Sequence, residues 1–260
     1  MSRRAPRRAV RPGSGQGLVA VLQLCDSAFP AGLFTQSAGL ETAFAEERLR
    51  DAGDLRDWVA DALAWSAAPL DAAATADCWR AAGRGDLAGV CTHDARLEAM
   101  RTAREPREAS ARSGRRVLAL AAALEGEVAG RREAGARAVL AAFAEAARQN
   151  RTPGHYAAAL GVVGRAWGAP LLPLLGGALF AAAAGMVAAA VRLGACDHVA
   201  AQRILAGLRP EMGALARSAA AAGRDAGAAG LGAGGWSAFA PAAEIAAMRH
   251  ETGRMRMFAT

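Results

Sequence analysis

Residues 54–63 have the sequence DLRDWVADAL, and this stretch decides the fold class. Its apolar residues recur at the spacing i, i+3, i+4, i+7 and i+8, namely Leu55, Trp58, Val59, Ala62 and Leu63. This spacing places all five on one face of an α-helix. Asp54 is predicted to open the helix, and Pro69 is predicted to end it because proline lacks the N–H that a continuing helix needs.

The composition of the whole chain favours helix as strongly as this stretch does. Apolar residues make up 53% of the 260 residues, but aromatics only 5%, and isoleucine occurs only at Ile204 and Ile245. Alanine and leucine, which supply most of the remainder, favour helix over sheet. We therefore predict an all-α fold, a single compact bundle of about ten helices. Helices are expected at about 18–26, 37–48, 54–68, 71–82, 86–102, 107–128, 135–149, 154–167, 171–193, 196–207, 211–221 and 241–249.

Charge and glycine divide the chain into four parts. Residues 1–17 form a basic tail whose five arginines account for most of the formal charge of +7, leaving +2 for the body. We predict that this tail is disordered and solvated, with binding to an anionic partner as the alternative. The helical domain is expected at 18–222. Residues 223–236 follow as a flexible Gly-rich loop, and residues 237–260 as a C-terminal helix and tail that becomes ordered when a partner binds.

Several kinds of catalytic chemistry lack their usual motifs. All 31 basic residues are arginine, so the chain has no Gly-Lys-Ser/Thr phosphate-binding loop. The glycines of 230–235 match a dinucleotide motif only formally, because no strand is predicted before them and no helix directly after them. Cys196-Asp197-His198 is interpreted as a surface or helix-start cluster, although a metalloenzyme using Cys196 and His198 stays a distant alternative. We predict no enzymatic activity and nominate no catalytic, cofactor-binding or metal-binding residue.

Cysteines and apolar segments indicate the cellular location. Four dispersed cysteines and the lack of a convincing secretory signal predict a cytoplasmic protein. Residues 166–191 carry no charge and are long enough to span a membrane. Alanine and glycine dominate the segment, however, and Pro170 and Pro173 interrupt its start. A buried central helix is the favoured interpretation, and no membrane association is expected.

Three segments have unusual composition for plain core. Residues 26–41 place Phe29 and Phe34 around the turn Pro30-Ala31-Gly32. This segment is either a buried corner or a loop presented to a partner. Residues 105–116 mix charged and small residues, which indicates either a solvated face or an arginine-rich docking surface. Residues 244–258 end the chain on an apolar and basic tail, which favours docking against another surface.

In this order, these segments resemble the urease accessory protein UreF family. The family loop Ser-Pro/Ala-Leu/Phe-Pro-x-Gly-Gly-Phe-Ser-x-Ser-x-Gly-Leu-Glu is similar to Asp26–Glu41, and its Thr-x-Glu-x-Arg run before Gly-Arg-Arg is similar to Thr102–Arg116. His155-Tyr156 with Gly161 and the tail Arg249–Phe258 match two further motifs. The sequence departs from the family pattern at Leu33, Gln36 and 194–198.

The resemblance implies an adaptor rather than an enzyme. It implies an all-α homodimer that joins UreD (also called UreH), recruits and regulates the GTPase UreG, and so serves nickel insertion into apo-urease. The alternative is a generic helical binding module or a regulator associated with nucleic acid; binding to nucleic acid is not expected. The resemblance assigns partner binding to eleven residues: Phe29, Pro30, Gly32, Phe34, Gln36, Glu41, Arg249, His250, Glu251, Arg256 and Phe258.

Overall fold

The computed structural model describes residues 14–31, 39–124, 133–225, 235–251 and 258, and every regular element among them is helical. The all-α prediction is confirmed. Counting the continuous run from Ala52 to Gly83 once, these residues form ten helices in one compact bundle. The elements are α1 (Ser14–Cys25), α2 (Leu40–Ala45), α3 (Ala52–Ala62), a π-helical segment (Leu63–Ala72), α4 (Ala73–Gly83), α5 (Leu87–Met100), α6 (Arg104–Ala123), α7 (Ala134–Arg148), α8 (Tyr156–Ala166), α9 (Leu171–Arg192), α10 (His198–Asp225) and α11 (Pro241–His250).

Helix α3 begins earlier than the sequence predicts, and its continuation also differs. The Asp51 side chain accepts hydrogen bonds from the N–H groups of Gly53 and Asp54, so the cap lies three residues before the predicted start. Leu55, Val59 and Leu63 are fully buried. The prediction that Pro69 ends the helix was wrong. The chain widens into the π-helical segment around Pro69 and continues into α4.

The centre of the bundle is the crossing of α4 and α8. Gly161 of α8 lies so close to α4 that a Cβ there would overlap the carbonyl oxygen of Thr75 and lie 3.0 Å from the Cβ of Cys78. The Thr75 hydroxyl donates to the carbonyl of Ala157 across the same crossing at 3.0 Å. The glycine singled out in the sequence therefore permits two helix backbones to pack directly.

Helix α9 is the predicted uncharged central helix. Among the described residues it is the one helix long and apolar enough to cross a membrane, and 44% of its most apolar 18-residue window is buried within the bundle. Its inner face includes the buried Leu174, Leu175 and Leu179. Helix α1 packs closely against α9 at Gly177, because a Cβ there would lie 2.8 Å from the Sγ of Cys25.

Helix α10 is longer than predicted. The two helices expected at 196–207 and 211–221 are one helix, with Pro210 inside it. Pro210 cannot bond the carbonyl of Ala206, but both residues are exposed, so water can satisfy that carbonyl. At the other end, Asp197 accepts from the N–H of Ala200 at 2.7 Å. The interpretation of Cys196-Asp197-His198 as a helix-start cluster is confirmed.

Candidate partner-binding site

The short helix α2 and the C-terminal helix α11 meet at Gly39. Gly39 has φ 79°, a left-handed conformation that favours glycine. A Cβ at this position would lie 2.8 Å from the carbonyl oxygen of Ala243 and 3.1 Å from the Cβ of Ala246. Ala246 and Ala247 are buried as a result. The backbone at residue 39 is thus shaped to receive α11.

A histidine between two glutamates fastens the end of α11. His250 is buried, with its Nδ1 2.7 Å from an oxygen of Glu105 and its Nε2 3.1 Å from an oxygen of Glu41. An ionised carboxylate only accepts hydrogen bonds, so both contacts form together when each ring nitrogen carries a proton. The three residues come from α11, α6 and α2, which are far apart in sequence. The cluster ties the C-terminal helix to two elements of the bundle.

The next residue, Glu251, caps helix α6. One of its oxygens accepts from the backbone N–H groups of Arg104 and Glu105 at 3.1 and 3.3 Å, and the other accepts from the Arg104 guanidinium. Burial opposes the charged carboxylate, but these N–H groups and the guanidinium hold the pKa of Glu251 below its usual range. A carboxylate at a helix N-terminus also suits the helix dipole. Glu251 therefore supplies the cap that the local residue, Ala103, cannot provide.

Two further contacts extend the attachment on either side. The Arg249 guanidinium lies 2.8 Å from a carboxylate oxygen of Glu46, just after α2. The N–H of Phe258 donates to Glu41 at 3.1 Å. The Phe258 ring is buried, 4.4 Å from the Arg192 guanidinium at the end of α9. Glu41 therefore meets both the end of α11 and the tail beyond it.

The segment before α11 has its own anchor at Trp236. The Trp236 ring is buried, and its indole N–H donates to Asp77 of α4 at 2.9 Å. Arg80 shares the same carboxylate at 2.9 Å, and Arg96 lies over the indole ring. The residues from Trp236 to Glu251 are consequently attached at both ends.

Backbone hydrogen bonds join this segment to the π-helical turn. Phe239 donates to the carbonyl of Trp65 at 2.8 Å, and Ser237 donates to the carbonyl of Pro69 at 3.1 Å. Both carbonyls lie in the π-helical segment Leu63–Ala72, so the C-terminal segment is bonded to this segment through its backbone.

The structure brings together part of the predicted site. Glu41, His250, Glu251 and Phe258 belong to the cluster, and Arg249 lies beside it. Phe29 is buried edge-on against Trp167, with ring centres 6.4 Å apart, and Pro30 is exposed beside it. Gly32, Phe34, Gln36 and Arg256 lie outside the described residues, as does most of the Gly-rich loop. At the predicted start of that loop, residues 223–225 still belong to α10. At its predicted end, Trp236 is buried.

Sequence reasoning missed several members of the site. Glu105 and Arg104 lie in or beside the second unusual segment, which contributes no residue to the predicted site. Gly39 lies in the first segment, where its position directly before a predicted helix is a usable signal for a left-handed turn. Asp77 and Trp236 are separated by 159 positions, and nothing local indicates their pairing.

The fold and this site define an all-helical protein whose C-terminal helix is fastened to its own bundle by charged and backbone contacts. The UreF family model matches residues 49–209. A urease accessory protein UreF from Cereibacter sphaeroides is 32% identical over 243 residues, covering 94% of this chain and 98% of that protein. Proteins of the same name from Paenarthrobacter aurescens (32% identical, 92% of this chain, 96% of that protein) and Rhodopseudomonas palustris (31%, 97% and 98%) are similarly related. The chain belongs to the UreF family, which confirms the resemblance drawn from four motifs.

Proposed function

We propose that this chain is a urease accessory protein that acts as an adaptor without catalytic activity of its own. Together with UreD/UreH it recruits and regulates the GTPase UreG, and the assembly delivers nickel to apo-urease in the cytoplasm. Membership of the UreF family and the names of its relatives support the role in urease maturation. The four matched motifs support the particular partners.

The attachment of the C-terminal helix is the observation that carries this proposal. All three segments that the sequence singled out contribute to one cluster, through Glu41, Glu105 and His250. Contacts of this kind hold a helix in place without creating a reaction centre. The function that suits them is presentation of a shaped surface to another protein.

An apolar groove beside α11 is a suitable partner surface. The groove has a volume of about 520 Å³ and is lined by Trp58, Trp65, Phe239 and the start of α11. Trp65 is 57% exposed and Phe239 is 74% exposed. Exposed aromatics around a groove are typical of the anchor positions in protein interfaces. We assign this groove to the contact with UreD/UreH.

A second apolar face supports a homodimer. Helices α1 and α9 pack side by side, and large apolar side chains on both are exposed, namely Leu18, Val19, Leu22, Leu172 and Phe180. A two-fold dimer buries the same patch from both subunits. Sedimentation of the purified chain tests this. Leu22→Glu with Phe180→Glu should give monomers, whereas Val199→Glu, at an exposed apolar position on α10, should not.

Co-purification tests the adaptor role. The full chain is expressed with UreD/UreH, UreG and apo-urease, and complex formation, GTP hydrolysis and urease activation are measured. Trp65→Ala with Phe239→Ala should lose UreD/UreH, while Val199→Ala should retain it. Failure of the unaltered chain to enter any complex would exclude the adaptor role. Normal binding by the double variant would exclude only the groove.

A further inference from the structure

A second cleft lies between α6 and the turn that precedes α8. It has a volume of about 470 Å³, and the charged residues lining it are Arg107, Arg112, Arg115, Arg151, Glu98 and Glu108. Four arginines and two glutamates give the cleft a net charge of +2. None of these six residues lines the apolar groove or belongs to the cluster around His250.

The backbone on one side of this cleft is rigidly held. Asp94 is fully buried and accepts hydrogen bonds from the hydroxyl of Thr152 and from the N–H groups of Gly154 and His155, at 2.6, 2.6 and 2.7 Å. Gly114 of α6 packs directly against this turn, because a Cβ there would overlap the carbonyl oxygen of Gly154. Unlike most surface turns, this one is fixed from beneath by a buried carboxylate.

The two glutamates are already neutralised by partners. Glu98 lies 3.3 Å from Arg107 and also contacts the ring of the buried His155 at 2.8 Å. Glu108 pairs with Arg112 at 3.5 Å. The positive charge that remains therefore belongs to Arg115 and Arg151.

Arg115 and Arg151 are both exposed and held through one edge of the guanidinium. The Nε of Arg115 donates to the carbonyl of Pro153 at 2.9 Å, and the Nε of Arg151 donates to the side-chain oxygen of Gln149 at 2.8 Å. Both acceptors are neutral, and within the described parts of the chain neither guanidinium has a carboxylate at ion-pair distance. Each keeps its two terminal amino groups as a fork for a planar anion.

We propose that this cleft binds neighbouring carboxylates on an acidic segment of a partner protein. Two anchored forks beside each other match two carboxylates better than one. The cleft is also in the size range of pockets for extended ligands rather than for a single ion. This proposal does not depend on a role in urease maturation, because it concerns the chemistry of the cleft alone.

Binding of a fluorescein-labelled oligoglutamate peptide to the full chain tests the proposal, with fluorescence anisotropy as the readout. Arg115→Gln with Arg151→Gln should weaken binding about tenfold, which is the loss expected for two charge-assisted contacts at a surface. The matched control is Arg203→Gln with Arg209→Gln, which removes the same charge from exposed positions on α10. This control should change the Kd less than about twofold, because distant surface charges are screened. Circular dichroism checks that all variants are folded.

Three results would overturn the proposal. The first is equal weakening by the cleft pair and the control pair, which would mean attraction by overall charge. The second is binding of a length-matched oligoglutamine peptide as tight as that of oligoglutamate. The third is binding of a length-matched peptide with a single glutamate as tight as that of oligoglutamate, which would indicate a site for one anion only. Arg115→Lys with Arg151→Lys should give intermediate affinity, and full affinity would exclude the fork geometry.

Discussion

Replacing Gly39 by alanine should release the C-terminal helix. Two costs arise at this position. A left-handed conformation costs a non-glycine residue roughly 1–2 kcal/mol. The added Cβ would lie 2.8 Å from the Ala243 carbonyl oxygen, and overpacking of this kind costs about 1–3 kcal/mol. Undocking of α11 relieves only the second cost, so that part should appear as weaker attachment of the helix.

Gly85→Ala is the matched control for this experiment. Gly85 has φ 75°, close to that of Gly39, but nothing lies within 4 Å of a Cβ built there. Both variants carry the conformational cost, and only Gly39→Ala carries the clash with α11. The two proteins should therefore differ by about 1–3 kcal/mol in the opening of residues 241–251.

Hydrogen exchange measured by mass spectrometry detects this difference. A change of about 1–3 kcal/mol corresponds to exchange in 241–251 faster by roughly 5- to 150-fold in Gly39→Ala than in Gly85→Ala. Exchange in α4 and α8 should be similar in the two variants. Equal exchange of 241–251 in both proteins would refute the inference that α11 packs against the backbone of Gly39.

Three further predictions concern the bundle and its attachment. Gly161→Ala should lower the free energy of unfolding by about 1–3 kcal/mol or more, because the added Cβ would overlap α4. Gly207→Ala, where a Cβ meets open space, should raise the free energy of unfolding by about 0.5–1 kcal/mol. Thermal denaturation measures both changes. Burial lowers the pKa of His155, although Asp94 opposes this, so the folded chain binds fewer protons than the unfolded chain below the ordinary imidazole pKa of about 6.5. Stability present above that pH should fall as the pH is lowered, and denaturant titrations of His155→Gln should show a weaker fall. Trp236→Phe removes the donor to Asp77 and should speed hydrogen exchange of residues 235–240, while an unchanged rate would exclude Trp236 as an anchor.

Helix periodicity predicted the core faces well because burial in a bundle depends on local spacing. The positions at i, i+4 and i+8 of the helix predicted from residue 54, namely Leu55, Val59 and Leu63, are fully buried as expected. Prolines were the main source of error. Pro69 and Pro210 both lie inside helices, because the chain widens into a π-helix around Pro69, and Pro210 lies with the carbonyl that it cannot bond on an exposed face. Neither circumstance is visible in the residues next to the proline.

The candidate site was predictable as segments but not as contacts. Unusual composition identified the regions that contain Glu41, Glu105 and His250. Their pairing joins positions separated by 145 and 209 residues, so it depends on how the helices pack and has no periodic signal. The motifs of the family identified two of these residues as partner-binding without indicating that they would contact each other. Glu105 entered the site only through the structure.

The same contacts that hold α11 also complete other elements of the bundle. Glu251 supplies the N-terminal cap of α6, and Phe239 donates to the carbonyl of Trp65 in the π-helical segment. Undocking of the C-terminal segment would therefore leave a helix end and a carbonyl to be satisfied by water, in addition to exposing Ala246 and Ala247. Trp65 and Phe239 line the apolar groove, and the hydrogen bond between their backbones fixes one wall of it relative to the other. The shape of the groove and the position of α11 are thus set by one group of interactions. A protein bound in the groove would contact the start of α11, the helix whose other end is joined to the start of α6 by Glu251.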